Sequence, residues 1–209
     1  MGNTGIIPVF NHHDIGIAKS VIEVSYKAGI RVFEFTNRDE SAFDVFVQLS
    51  DYVKSFPDFI LGAGTIITTT DCEKFIAAGA KFIVSPVLNT ELAPICKKNN
   101  VPWIPGTMTL TEIIHAKEAG AEVIKIFPAS VVGPKFVSSI LPVVPDLKLM
   151  PTGGVEPTEE NLKAWFDAGV YCAGIGSQLF SKKIIESHDW KKLEIEIAST
   201  LRIVKALKK

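Results

Sequence analysis

Residues 119–129 read Ala-Gly-Ala-Glu-Val-Ile-Lys-Ile-Phe-Pro-Ala, a passage in which one helix ends and one apolar strand begins. The Ala-Gly pair is typical of a helix C-terminus, where glycine accepts the left-handed backbone that closes the last turn. The apolar, β-rich run at 123–127 is typical of a buried strand. The same ending recurs at three other places, Ala28-Gly29, Ala78-Gly79 and Ala168-Gly169. The sequence therefore predicts one strand and helix unit that is repeated along the chain.

Eight apolar runs are predicted as strands, at residues 6–10, 32–36, 59–64, 82–85, 101–104, 123–127, 147–150 and 171–175. They recur about every 20 to 28 residues, which is the length of a strand, a helix and two loops. Helical patterns fill the gaps, and the clearest lie at 14–28, 69–78, 109–119 and 158–168. An open doubly wound sheet is disfavoured, because no glycine-rich fingerprint follows the first strand. We expect one α/β domain over residues 1–209, a (β/α)8 TIM barrel closed by an amphipathic helix at about 189–207.

The overall composition limits the function classes. Hydrophobic residues make up 47% of the chain, and the net charge of -1 offers no basic field for nucleic acid or an anionic membrane. The three cysteines, Cys72, Cys96 and Cys172, form neither a disulfide framework nor a zinc motif. No apolar run reaches the roughly 20 residues of a membrane span, and no leader segment is predicted. We therefore expect a cytoplasmic protein that acts on small molecules.

Three charged residues fall inside predicted strands that parallel packing covers on both faces: Glu34, Lys125 and Lys148. Lys148 is near the amino end of its strand, where barrel residues usually serve stability, so no chemistry is expected of it. Lys125 is near the carboxyl end, the face on which barrel active sites form. Apolar neighbours would lower its pKa and leave a neutral amine able to attack a carbonyl. Its position alone leaves a structural, ion-paired lysine as the alternative.

Glu34 favours the chemical interpretation of Lys125. In Val32-Phe-Glu-Phe-Thr36 the strand alternation puts both phenylalanines on the helix side and Glu34 inside the barrel. A confined carboxylate could move protons at a carbinolamine. Arg38 lies in the following loop, where a guanidinium could hold a substrate carboxylate by two hydrogen bonds. An ordinary surface arginine is the alternative there.

Glycine-rich turns follow three of the strands, at Gly62-Ala-Gly64-Thr65, Pro151-Thr-Gly153-Gly154 and Gly174-Ile-Gly176-Ser177. The last two follow the seventh and eighth strands, which form the usual phosphate pocket of such barrels. Their backbone N–H groups could bind an anion, and tight turns without a ligand are the alternative.

Taken in order, these motifs resemble those of the 2-dehydro-3-deoxy-6-phosphogluconate (KDPG) and 4-hydroxy-2-oxoglutarate (KHG) aldolase family. The similarity runs from about residue 7 to residue 180 and rests on Glu34-Phe-Thr-Asn-Arg38, Gly62-Ala-Gly-Thr65, Ser85-Pro86, Ile104-Pro-Gly106, Lys125-Ile-Phe-Pro-Ala129, Pro151-Thr-Gly-Gly154 and Gly176-Ser177. Each motif is common, but their order and spacing together are specific. The chain departs from the family at Asn37, where many relatives carry Leu, and at Val87, where Gly is commoner.

The resemblance implies a class I aldolase in which Lys125 forms a Schiff base with the substrate and Glu34 is the general acid and base. Arg38 and Thr65 would hold the pyruvyl carboxylate, and Pro86 and Phe127 would wall the site. The distal phosphate would be received by Thr152, Gly153, Gly154, Gly176 and Ser177. The substrate would be a 4-hydroxy-2-oxo acid, cleaved to pyruvate and either glyceraldehyde 3-phosphate or glyoxylate. No metal or cofactor is implied, and such enzymes are typically homotrimers.

Other functions stay open at this point. The aldolase could act on the galactonate epimer of the substrate. A sugar-phosphate isomerase or epimerase would use Glu34 as its base, but would not explain a lysine among apolar residues. A metal-dependent aldolase is weakly supported, because the adjacent His12 and His13 would point apart in an extended segment. A barrel used only for ligand binding or assembly would perform no covalent chemistry.

Overall fold

The computed structural model describes residues 4–208, which contain nine strands, nine α-helices and one short 3-10 helix at Val53–Ser55. The strands are β1 (Ile6–Phe10), β2 (Val32–Thr36), β3 (Ile60–Gly64), β4 (Ile83–Val84), β5 (Trp103–Ile104), β6 (Gly106–Thr107), β7 (Ile124–Ile126), β8 (Leu149–Pro151) and β9 (Ala173–Ile175). The helices are α1 (Ile15–Lys27), α2 (Ala42–Tyr52), α3 (Thr69–Ala77), α4 (Leu92–Lys98), α5 (Leu110–Glu118), α6 (Ala129–Ile140), α7 (Glu159–Asp167), α8 (Lys182–Ser187) and α9 (Trp190–Leu207). Residues 1–3 and 209 of the predicted domain lie outside the described residues.

Local capping signals explain why the clearest helices were predictable. The Asp14 carboxylate accepts hydrogen bonds from two backbone N–H groups in the first turn of α1. Thr109 and Glu112 form a capping box at the start of α5. At the end of α5, Gly120 has a φ of 94°, a backbone conformation that costs little only for glycine. The predicted closing helix at 189–207 is α9, which begins one residue later, at Trp190.

All the strand pairs are parallel, and they form two groups. One has the order β5-β4-β3-β2-β1-β9, and the other has the order β6-β7-β8. Pro105 separates β5 from β6, because a proline has no N–H to give to a ladder. Its carbonyl accepts the N–H of Lys125 at 2.9 Å. At the other junction Thr152 bridges Gly174 in the parallel sense, so the two groups meet at both ends.

Alternate strand residues face two separate apolar regions. Phe33 and Phe35 belong to the larger core, which includes the helices, whereas Val32 belongs to a smaller core. The smaller core is drawn from segments throughout both strand groups: Ile7, Val32, Phe82, Val84, Ile104, Val123, Met150 and Cys172. The strands are therefore covered on both faces, as expected of parallel sheets. All three cysteines are buried free thiols.

The strands β1 and β2 have the predicted bounds, whereas the later strands are shorter than the predicted apolar runs, mainly at their amino ends. The run predicted at 171–175 pairs only as β9, and the run at 123–127 pairs only as β7. Cys172 and Val123 are nevertheless buried in the smaller core. Their apolar character thus reflects packing rather than strand pairing.

A cavity of about 800 Å³ lies at the amino ends of the strands and does not include Glu34 or Lys125. Lys148 lines it in an exposed position, with its Nζ 5.6 Å from the centroid of the Tyr171 ring. Lys148 is therefore remote from the carboxyl ends of the strands, as its sequence position predicted. Within the described part of the chain, no helix has both the length and the apolar character needed to cross a membrane.

Candidate active site

Lys125 lies at the centre of β7, between Ile124 and Ile126, and only 4% of its surface is exposed. Its Nζ is 4.8 Å from the centroid of the Phe127 ring. Burial lowers the pKa of the Lys125 ammonium, because the charged form loses its hydration. The side chain is thus biased toward the neutral, nucleophilic amine.

Glu34 lies at the centre of β2 and is completely buried. Burial raises the pKa of its carboxyl group, while the nearby charges of Lys125 and Arg38 act in the opposite direction without reversing the shift. Among residues 4–208, neither carboxylate oxygen of Glu34 has a hydrogen-bond partner. A buried carboxyl group with a raised pKa and unused hydrogen-bonding capacity is suited to exchanging protons with a ligand.

Arg38 and Thr65 follow β2 and β3, which are neighbours in the sheet. Arg38 is exposed, and its charge lowers the pKa of both Glu34 and Lys125. Thr65 is half-buried and has a φ of 59°, in the left-handed region. A β-branched residue held there is strained by about 1–3 kcal/mol, and strain of this kind concentrates at functional sites.

Pro86 and Phe127 stand at the ends of β4 and β7, and both are half-buried. The backbone of Gly106 is in close approach to Pro86, since a side chain at Gly106 would collide with the Pro86 carbonyl. Gly106 in turn pairs with Lys125 in the sheet. Phe127 lies against Gly153, where a Cβ atom would be 3.2 Å from Cε2 of the ring. Phe127 therefore lies at the carboxyl end of the strand that carries Lys125, and Pro86 lies against the neighbouring β6.

The turn after β8 presents its residues in two different directions. The Thr152 side chain packs on Gly174, where a Cβ atom would lie 3.1 Å from Cγ2 of Thr152. Its hydroxyl is buried and, among residues 4–208, has no hydrogen-bond partner. Gly153 and Gly154 have φ values of 88° and 84°, and Gly154 is exposed. The Thr152 hydroxyl is thus an unpaired group in the interior, whereas Gly154 reaches the surface.

The turn after β9 is shaped by the carbonyl of Gly176, which accepts the N–H groups of Leu179 at 2.9 Å and Phe180 at 3.1 Å. Ser177 is exposed. In the described range, the backbone N–H groups of Ser177 and Gly154 donate to no protein acceptor. Both turns therefore offer unused N–H donors, the feature that anion sites in such turns require.

His12 and His13 lie in the loop between β1 and α1. Their rings stack, with centroids 4.7 Å apart, so the expectation that they point apart is wrong. The reason is that this loop is not extended: it turns into α1, and His12 Nδ1 accepts the N–H of Asp14 at 3.0 Å. Among residues 4–208, no group of three or more His, Cys, Asp or Glu side chains is placed to hold a metal ion.

Comparison with known families adds to this geometry. Residues 1–195, which include the strands that carry Glu34 and Lys125, match the family model of the KDPG and KHG aldolases. The chain belongs to this aldolase family. It is therefore a lyase, and this confirms the class of enzyme that the motifs indicated.

The aldolase is similar to curated enzymes of two substrate types. The 2-dehydro-3-deoxy-phosphogluconate aldolase of Pseudoalteromonas atlantica is 33% identical over 189 residues, which cover 90% of this chain and 86% of that enzyme. The 2-dehydro-3-deoxy-6-phosphogalactonate aldolase of Escherichia coli is 37% identical over 122 residues, which cover 58% of each chain.

The fold of the aldolase also matches solved structures of the family. KDPG aldolase from Legionella pneumophila, with pyruvate captured as a covalent carbinolamine intermediate, superposes with a TM-score of 0.85. The two chains are 29% identical, and the match covers 95% of this chain and 97% of the other. The α/β architecture with parallel strands is therefore that of the KDPG aldolases.

Two features of the site in this aldolase escaped sequence reasoning. One is the left-handed backbone of Thr65, and the other is the contact of Gly64 with the Glu34 side chain. Both fall in the motif Gly-Ala-Gly-Thr at 62–65, whose glycines indicate, by sequence alone, a turn with accessible backbone N–H groups. A glycine that is needed for space looks the same in a sequence as one needed for a turn.

Proposed function

We propose that this aldolase reversibly cleaves a 4-hydroxy-2-oxo acid to pyruvate and an aldehyde through a Schiff base on Lys125. The observation that carries the proposal is that Lys125 and Glu34 are both buried in the interior. Burial of Lys125 lowers the pKa of its amine. An amine in this environment is neutral at lower pH than an exposed lysine, so it can attack a carbonyl carbon.

The proposed reaction begins with attack of the Lys125 amine on C2 of the substrate. Glu34 gives a proton to the departing hydroxyl of the carbinolamine, water leaves, and the iminium forms. The 4-hydroxyl then loses its proton to Glu34, the C3–C4 bond breaks, and its electron pair is taken up by the iminium to form an enamine. The aldehyde leaves, the enamine is protonated at C3, and hydrolysis releases pyruvate and the free amine.

The remaining predicted residues have binding roles in this proposal. Arg38 and Thr65 hold the pyruvyl carboxylate, the first by charge-assisted hydrogen bonds. Pro86 and Phe127 wall the site. The distal end of the substrate is received by Thr152, Gly153, Gly154, Gly176 and Ser177. The unused N–H donors of Gly154 and Ser177 support a phosphate at that end.

The substrate is proposed to be 2-dehydro-3-deoxy-6-phosphogluconate, 4-hydroxy-2-oxoglutarate or both, which give glyceraldehyde 3-phosphate and glyoxylate respectively as the aldehyde. The galactonate epimer of the phosphorylated substrate is a second candidate. It is favoured by the 37% identity to a 2-dehydro-3-deoxy-6-phosphogalactonate aldolase.

We also propose that the fold is a closed barrel and that the protein assembles as a homotrimer. The hydrogen bonds at both junctions of the two strand groups support a closed (β/α)8 barrel that forms one domain over residues 1–209. A homotrimer is supported by exposed apolar residues just after the strands, namely Ile67, Val87 and Met108 in loops and Val131 in the first turn of α6. A similar chain occurs in a protein cage designed by fusing symmetric oligomeric domains, with 26% identity and a TM-score of 0.86. The cytoplasm is the proposed location.

The test is reduction with borohydride in the presence of pyruvate, followed by mass mapping. We expect one reduced pyruvyl group on Lys125 and loss of activity, because only a neutral amine forms the imine that borohydride traps. Lys125→Met should take up no label, and the matched variant Lys148→Arg should be labelled like the wild type. Label on a different lysine, or none in the wild type, would overturn the proposal.

A further inference from the structure

Gly64, the last residue of β3, lies directly against the Glu34 side chain. A Cβ atom built on Gly64 would collide with Oε1 of Glu34 and would lie 2.6 Å from Cδ and 2.7 Å from Cγ. Real Cβ atoms essentially never make contacts this short. The carboxyl group of Glu34 therefore occupies the space that any side chain at position 64 would need.

The backbone of Gly64 does not itself require glycine. Its φ lies outside the left-handed region, it pairs with Thr36 in the parallel ladder, and its carbonyl accepts the N–H of Asn37 at 2.8 Å. The other roles of glycine, a left-handed turn or a bulge, do not apply here. What distinguishes glycine at this position is the missing side chain.

The contact matters because little else holds the Glu34 carboxyl group. Among residues 4–208 neither oxygen has a hydrogen-bond partner, and no ion pair reaches Glu34 from Lys125 or Arg38. Packing therefore holds the carboxyl group in the interior, and the close approach of Gly64 on β3 is part of that packing. Thr65 follows Gly64 directly.

We propose that Gly64 is a positioning residue for catalysis: its bare Cα admits the Glu34 carboxyl group to the place from which protons are exchanged at the Lys125 adduct. The inference rests on the proposed role of Glu34. A methyl group at position 64 displaces the carboxyl group, and a displacement of about 1 Å can cost about 10²-fold in rate. The loss falls on kcat, since Gly64 is not proposed to contact the substrate.

The primary test compares Gly64→Ala with Gly62→Ala. Gly62 belongs to the same strand, and its Cβ would also collide with a buried group, but the three atoms nearest to it all belong to the ring of Phe82. We expect Gly64→Ala to lower kcat by about 10- to 100-fold with little change in KM. Gly62→Ala should lower the melting temperature yet keep kcat close to the wild-type value. Equal kcat losses in the two variants, or an unchanged kcat in Gly64→Ala, would overturn the inference.

A double-mutant cycle separates positioning from general damage. In a Glu34→Ala background the methyl group at position 64 has nothing to displace, so Gly64→Ala should add no further loss of kcat. The same loss in both backgrounds would contradict the inference. If Gly64→Ala does not fold, recovery of folding in Glu34→Ala/Gly64→Ala supports the collision, and continued unfolding contradicts it.

Trapping of pyruvate by borohydride distinguishes a failure of the proposed aldolase function from a failure of the proposed role of Gly64. If the wild type does not trap pyruvate on Lys125, both the proposed function and the proposed role of Gly64 are wrong. If the wild type traps pyruvate normally and Gly64→Ala turns over normally, only the proposed role of Gly64 is wrong.

Discussion

Glu34 of β2 and Lys125 of β7 share one interior, where the charge of each opposes the effect of burial on the other. Burial raises the pKa of the Glu34 carboxyl, and the Lys125 charge lowers it. Burial lowers the pKa of the Lys125 amine, and the Glu34 charge raises it. In both residues burial is the larger effect, so both are biased toward their neutral forms. A neutral amine and a protonated acid are the forms needed to begin carbinolamine formation and water loss.

Replacing Glu34 by Gln should separate proton transfer from substrate binding. Gln keeps the shape of the side chain but cannot carry a proton, so kcat should fall by about 10² to 10⁴-fold. Pyruvate affinity should change far less, since Glu34 is not proposed to hold the carboxylate. Steady-state kinetics and pyruvate titration measure the two effects, with a thermal melt as the folding control. Near-normal turnover in a folded variant would mean that another group moves the proton.

Replacing Arg38 by Ala should have the opposite effect. Loss of a charge-assisted hydrogen bond costs about 1.5–3 kcal/mol, so KM should rise by about 10- to 100-fold, with a smaller loss of kcat. Arg202→Ala, which removes an exposed arginine from α9, is the matched control and should leave both constants unchanged. An unchanged KM in Arg38→Ala would mean that Arg38 is an ordinary surface residue that does not hold the substrate carboxylate.

A negative charge at position 177 should reveal whether the turn after β9 receives a phosphate. Ser177→Asp should raise KM for 2-dehydro-3-deoxy-6-phosphogluconate by about tenfold or more, because like charges repel. KM for 4-hydroxy-2-oxoglutarate should change less, because its distal group is a carboxylate that has a smaller charge and a shorter reach than the phosphate. Equal effects on both substrates would place the phosphate elsewhere.

The stability of the protein should depend on pH through Glu34. Because the folded state raises the pKa of Glu34 above its ordinary value of 4.5, the folded state binds the proton more tightly than the unfolded state. Stability from this group is full below pH 4.5 and is lost as the pH rises through the folded pKa. The melting temperature of Glu34→Gln should therefore increase relative to the wild type as the pH is raised from about 4.5. A change in the other direction would mean that an ion pair depresses the pKa of Glu34.

Activity should survive exhaustive treatment with EDTA. In the proposed mechanism the iminium takes up the electron pair of the breaking C3–C4 bond, a role that a metal ion performs in other aldolases. The measurement is kcat before and after chelation and dialysis. A loss of activity that a divalent ion restores would contradict a Schiff-base mechanism.

Local patterns in the sequence predicted much of the fold. Capping residues such as Asp14 and Thr109 and the Ala-Gly endings mark helix limits by short-range hydrogen bonds, which involve neighbours in the chain. The limits of the strands were less predictable. An apolar residue such as Val123 is buried whether or not it joins a ladder, and Pro105 divides one extended segment into β5 and β6.

The candidate site, like the fold, was predictable from the sequence only in part. By itself the sequence determined that Glu34 faces inward, because strand alternation is a local property, and it placed Lys125 near the end of an apolar strand. The tertiary structure alone decided that Lys125 and Glu34 are buried together, that the Thr152 hydroxyl is covered by Gly174, and that Gly64 leaves room for a carboxyl group. These relationships join strands that are distant in sequence. Only the folded sheet brings such atoms within contact distance, because the distance between atoms on different strands does not follow from any local sequence pattern.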